Sequence, residues 1–224
     1  MGGQACILYG GAEFSRDTDI MAVADLDNLG RLRAAVAELQ GDVIAVPPFE
    51  QRFLQAGHAV HFRCRRPDVA GMRLDVMSKL RGLPDFETLW ARRTTLETAG
   101  EGIDILSLPD LVIAKKTQRD KDWPMLARLV EAHYARHADV PDQAMIDFWL
   151  RELRSPTILA EVARTAPDAC QRLRMTRPLL AHAAAGSEPL LAAALRAEEE
   201  SEREADRRYW APLKLELEQL RRDR

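Results

Sequence analysis

Several things are scarce in this chain of 224 residues, and each scarcity excludes something. Cysteine occurs three times, as Cys6, Cys64 and Cys170, far apart and without CxxC spacing. An odd, scattered set does not make a disulfide framework, so buried free thiols in a reducing compartment are expected. No apolar run approaches the roughly 20 residues needed to cross a bilayer, which argues against a membrane protein. No basic n-region followed by an apolar segment opens the chain, so no secretory signal is read and a cytoplasmic location is expected. Charge of one sign is lacking too: the formal net charge is −3, which argues against a surface dominated by nucleic acid or anionic lipid. There is no internal repeat.

What is present is an ordinary globular composition, with 46% apolar and 30% charged residues. In the first half, short apolar runs alternate with turns. Cys6 to Tyr9 reads as a first strand ending at Gly10-Gly11, and Met21 to Ala24 as a second. Leu29, Leu32, Val36 and Leu39 recur at helical spacing behind capping residues at 25–28. Val43 to Val46, His58 to Arg65 and Gly71 to Met77 read as strands, the last two as a hairpin. Residues 49–55 and 86–93 read as short helices, and residues 94–98 and 103–106 as extended. Ser107-Leu108-Pro109-Asp110 is a strong helix start, and from Trp123 onward the pattern is helical. The expectation is an α+β fold with an all-helical C-terminal region, divided into residues 1–106 and 107–224. The mixed-sign stretch Glu198 to Arg208 reads as a solvated helix face, and residues 213–220 as an amphipathic segment that caps the bundle or pairs two subunits into a homo-oligomer.

Three acids draw the eye. Asp17 and Asp19 are two residues apart in a polar turn that opens an apolar run, so on extended chain they point the same way and suit a shared hard cation. Asp75 lies in the otherwise apolar Leu74-Asp75-Val76, where a carboxylate needs a partner: Arg73, Arg63 or a metal. Asp104 poses the same question behind an exposed glycine-rich turn. His58 and His61 fall on opposite faces of a strand and do not converge on one ion. His133 and His137 lack a third ligand nearby and read as surface residues, whereas Trp123, Trp149 and Trp210 read as core or interface.

The order Gly10-Gly11, then Ser15-Arg16-Asp17-Thr18-Asp19-Ile20, then Arg73-Leu74-Asp75-Val76, then Leu106 to Lys116 with Thr117 to Asp122, resembles the nucleotidyltransferase fold superfamily. The small bacterial members, including those of toxin–antitoxin and phage-defence operons, are the nearest in look. The likeness covers about residues 5–130. It implies a nucleotidyltransferase-like mixed β-sheet flanked by helices, Mg²⁺ (or Mn²⁺), and an NTP substrate. On this likeness Asp17, Asp19 and Asp75 hold the metal and carry catalysis, while Gly10, Gly11, Ser15 and Arg16 lie against the phosphates. Lys115, Lys116 and Arg119 face the triphosphate or an RNA backbone. The implied acceptor is a hydroxyl of a protein, an RNA end or a small molecule. Two departures stand out. The family's usual Asp-Ile-Asp would align Asp19 with the first aspartate and put Met21 in place of the second, and the spacing from Gly11 to the acids is short. The reading that pairs Asp17 with Asp19 keeps all three carboxylates. The other leaves a catalytically silent binding or regulatory protein of a two-gene module.

Overall fold

The computed structural model describes residues 1–98 and 100–223. By its own contacts the chain divides into two units, residues 1–114 with 207–224, and residues 115–206.

The first unit begins with a helix, α1 (Gly2–Leu8), where the sequence suggested a strand. Four apolar residues suit either element, and the burial fits the helix: Ala5 and Cys6 are fully buried, while Leu8 is 45% exposed. The glycine pair ends this helix. Gly10 N–H donates to Ile7 O at 2.9 Å and Gly11 N–H to Cys6 O at 2.8 Å, the paired bonds of a Schellman motif. Gly10 sits at φ +82°, a conformation costly for any residue with a Cβ. Tyr9 then ties α1 down, its hydroxyl 2.8 Å from Thr94 Oγ1 and 2.9 Å from Leu106 O.

Strand β1 (Asp17–Met21) follows. It lies earlier than the apolar run suggested, because its register is set by pairing with a later strand. Helix α2 (Leu26–Glu38) starts at Asp25, whose carboxylate accepts the Asn28 N–H. Then come β2 (Asp42–Val43), α3 (Gln51–Ala56), β3 (Val60–Arg63) and β4 (Arg73–Met77). These form a mixed sheet in the order β1-β4-β3-β2, with β1 parallel to β4 and the other pairs antiparallel. The expected β3–β4 hairpin is present. One face of the sheet buries Val60, Phe62, Leu74 and Val76 against Leu29 and Val36 of α2 and Leu54 of α3. That is the core of this unit.

Helix α4 (Phe86–Ala91) and the antiparallel pair β5 (Thr94–Thr98) and β6 (Glu101–Ile105) lead into α5 (Leu108–Ala114). The capping residues of α5 behave as read. Ser107 Oγ and Asp110 bond each other, and Arg92 grips the buried Asp110 with a two-pronged bond at 2.6 and 2.8 Å.

The second unit is helical: α6 (Asp122–His137), α7 (Gln143–Glu152), α8 (Pro156–Thr165), α9 (Pro167–Leu173), α10 (Leu180–Ala184) and the first part of α11 (Glu188–Arg222). Its core includes Leu126, Leu129, Trp149, Leu150, Leu159, Leu180 and Leu191. Trp123 and Trp149 are buried, as read, and Trp210 is half-buried. His133 is a correction: it is half-buried and accepts the Trp149 indole N–H at 2.9 Å, with burial pulling its pKa down first and His137 second. The charged stretch of α11 is also less solvated than expected. Glu199 and Arg203 form the anticipated i,i+4 pair, but Asp206 is 2% exposed and accepts the Gln118 backbone N–H. Among the described residues no helix is long and apolar enough to cross a membrane.

Candidate functional site

The sheet face opposite the core carries the acids. Period-two alternation turns Ile20, Leu74, Val76, Val60 and Phe62 inward, which sends Asp17, Asp19, Arg73, Asp75 and His61 to the other side. Register then aligns them in rows. Asp19 of β1, Asp75 of β4 and His61 of β3 lie side by side, and Asp17 is level with Arg73. The three carboxylates singled out in the sequence therefore share one face of adjacent strands.

Glycines at the chain start press against this face, and the sequence reading passed over them. A Cβ placed on Gly2 would fall 1.8 Å from Asp19 Oδ2, and one on Gly3 would fall 2.3 Å from Ser15 Oγ. Gly2 also has φ +71°. Gly2 is held to glycine by its φ as well as by the contact, and a Cβ on Gly3 would require Ser15 to shift. The available signal was a Gly-Gly pair opening a short helix just upstream of the Asp-x-Asp stretch. By contrast, a Cβ on Gly10 would meet nothing within 4 Å.

Asp75 is buried, with Oδ1 2.8 Å from Arg73 Nε and Oδ2 2.9 Å from Arg73 Nη2. His61 Nδ1 lies 2.8 Å from the same Oδ1 and 3.1 Å from Arg73 Nη2, and its tautomer sets which of the two it bonds. Burial alone would raise the Asp75 pKa, but the bonds and charges of His61 and Arg73 outweigh it and hold the carboxyl below its usual range. Arg73 is held charged by Asp75 first, with help from Asp17 and Asp19. So of the partners suggested by the sequence, Arg73 and not Arg63 holds Asp75. Ser15 Oγ lies 2.9 Å from the Asp17 carbonyl and 3.1 Å from its Oδ1. Beside Asp17 opens a cleft of about 670 Å³, lined also by Gln4, Ser15, Arg16, Asp68 and Met72.

No protein-family model, curated protein or solved structure matches this chain.

The fit to a divalent ion rests on the donor set. Asp17 and Asp19 offer hard oxygens of the kind Mg²⁺ takes, usually one or two carboxylates completed by substrate phosphates and water. Asp75 adds little, since both its oxygens face Arg73. Among the described residues no three His, Cys, Asp or Glu side chains are grouped to hold an ion by themselves. The residues present suit a metal delivered with phosphate, held by Asp17 and Asp19.

The remaining candidates lie apart in sequence and environment. Lys115, Lys116 and Arg119 belong to the second unit. Lys115 is buried, Lys116 pairs with Glu152 at 2.7 Å, and Arg119 pairs with buried Asp122 at 2.7 Å. His58 is buried and bonds Glu216 at 2.7 Å, while Asp104 pairs with Arg93.

Proposed function

We propose that this chain transfers a nucleotidyl group from an NTP to an acceptor hydroxyl, with Asp17 and Asp19 as its metal-holding pair. The observation that carries this reading is the alignment of Asp17, Asp19 and Asp75 on one face of adjacent strands, with Asp17 at the edge of an open cleft. The cleft beside Asp17 is of nucleotide-binding size, with Arg16 at its edge to meet phosphate. When bound, Mg²⁺ or Mn²⁺ supplies charge that offsets the phosphate oxygens on the attacking and leaving sides. Asp17 and Asp19 fix its position. Arg73 keeps Asp75 ionised and offsets the acidity of the face. The acceptor oxygen bonds to the α-phosphorus as the bond to pyrophosphate breaks, and the acceptor proton is lost to water. The acceptor belongs to a protein, an RNA end or a small molecule.

A second reading has its own observation. With Asp75 forked to Arg73, this face has a cation already in place, as a nucleotidyltransferase-like binding or regulatory protein without turnover would have. Incubation with α-labelled NTPs, Mg²⁺ or Mn²⁺ and cell extract separates the two. Transfer of label that Asp19→Asn abolishes supports the enzyme. NTP binding without transfer supports the silent reading, and a folded protein that binds no NTP with metal sinks both.

A further inference from the structure

Strand β1 does not end in another acid. Met21, on the same face as Asp17 and Asp19, forms part of the wall of a second, smaller cavity of about 150 Å³. Phe86, Leu89 and Trp90 of α4 and Ile105 of β6 contribute to its apolar lining, with Met1 and Ile20 also at its wall. Phe86 and Trp90 are stacked, 5.6 Å between centroids and 17° between planes. Trp90 remains 42% exposed, so part of the ring is open to a ligand. The rim is polar. Arg93 and Thr95 both bond Asp104 Oδ1, at 2.8 and 2.6 Å, and neither bond uses Oδ2. Arg93 itself lies over the Trp90 ring at 4.0 Å, with Nε on Asp104 and Nη1 on the Trp90 carbonyl at 2.9 Å, and neither bond uses Nη2.

Resting on the nucleotidyltransferase reading, we propose that this cavity takes the base of the nucleotide and that its ligand class is a base with an exocyclic amine beside a ring-nitrogen acceptor, adenine first. The space is too small for a whole nucleotide and suits a flat ring system. Met21 is two residues beyond Asp19, about 7 Å along an extended strand, which fits the reach from phosphate to base. The rim pairs one carboxylate oxygen with one guanidinium. That combination matches an exocyclic amine next to a ring nitrogen acceptor, as adenine presents and uracil does not. Met21 is then the apolar floor of a base site, and its side chain has a use no third carboxylate would serve.

Titration calorimetry with Mg²⁺ and, in turn, ATP, UTP and inorganic tripolyphosphate tests this on the full chain. ATP is expected to bind more tightly than UTP or tripolyphosphate. Trp90→Ala and Asp104→Asn are expected to weaken ATP by roughly tenfold, within the range for losing one aromatic or bidentate contact to a base, and to leave tripolyphosphate unchanged. Met21→Asp is expected to act in the same direction. Equal binding of ATP, UTP and tripolyphosphate, unaffected by Trp90→Ala, overturns the base site and leaves the phosphate reading standing. Tighter metal-dependent binding in Met21→Asp without base preference also overturns it. Failure of all three ligands in folded protein overturns both.

Discussion

A β-carbon on Gly2 would fall 1.8 Å from Oδ2 of Asp19. This contact joins the first turn of α1 to the acidic face of the sheet, and it makes the Gly2-Gly3 pair, more than Gly10-Gly11, the glycines that shape the candidate site. Gly3→Ala is expected to displace Ser15, lower stability and abolish NTP binding. Gly10→Ala meets open space and carries only the strain of φ +82°, about 1–2 kcal/mol. Thermal melts with and without Mg²⁺–NTP check this: ligand stabilisation should vanish in Gly3→Ala and persist in Gly10→Ala.

Arg73 and Asp75 make a pH-dependent contribution whose sign is fixed. Asp75 has its folded-state pKa pulled below the unfolded value near 3.9. Its bonds therefore add stability that is complete above about pH 4 and is lost as the pH falls through the folded value. Arg73→Leu removes the guanidinium but leaves His61, and Arg73 is 43% exposed, so the expected loss at pH 7 is modest, about 1–2 kcal/mol. Urea unfolding at pH 7 and pH 3 should show the gap between wild type and Arg73→Leu narrowing in acid. A gap that widens in acid would refute the assignment.

The site was partly legible in the sequence because strand alternation is a rule of two. Given extended chain at Asp17-Thr18-Asp19 and at Arg73-Leu74-Asp75, the acids had to share faces, and the apolar residues between them named the core. The helix starts at Asp25 and Ser107 were legible because capping is local. What escaped depended on distant partners. Cys6 to Tyr9 is too short to declare its period, and its helix goes with the burial of Ala5 and Cys6 and with Tyr9 reaching Thr94. Gly2 and Gly3 gain meaning only from residues 12 to 17 positions away that fold back on them. Likewise, the burial of Asp206 follows from a bond to Gln118, 88 residues upstream.

Cys6, Cys64 and Cys170 are buried free thiols, as the spacing suggested. Burial raises the Cys170 pKa further, against a smaller opposing pull from Arg174. A disulfide-exchange reagent at neutral pH is expected to titrate none of them quickly in native protein and all three in denaturant. Fast modification of Cys170 in the native state would contradict its placement.

Arg177 is the strongest single polar dependence in the helical unit. It is 5% exposed, and its guanidinium donates to the carbonyls of Leu150 and Leu153 at 2.8 and 3.0 Å, at the end of α7 where helical carbonyls lack partners. The same group forks onto Glu198 at 3.0 and 2.9 Å, and Arg154 reaches Glu198 at 2.5 Å. Arg177→Met strands two buried carbonyls and half of an ion cluster, so a loss of about 3–5 kcal/mol is expected. Arg177→Lys should recover little, because one ammonium cannot span four acceptors set in a plane. Glu198→Gln should cost less, since it keeps an acceptor and leaves both α7 carbonyls bonded. Urea unfolding followed by the buried Trp123 and Trp149 reads this unit directly, and equal losses for Arg177→Met and Glu198→Gln would show that the helix-end carbonyls contribute nothing.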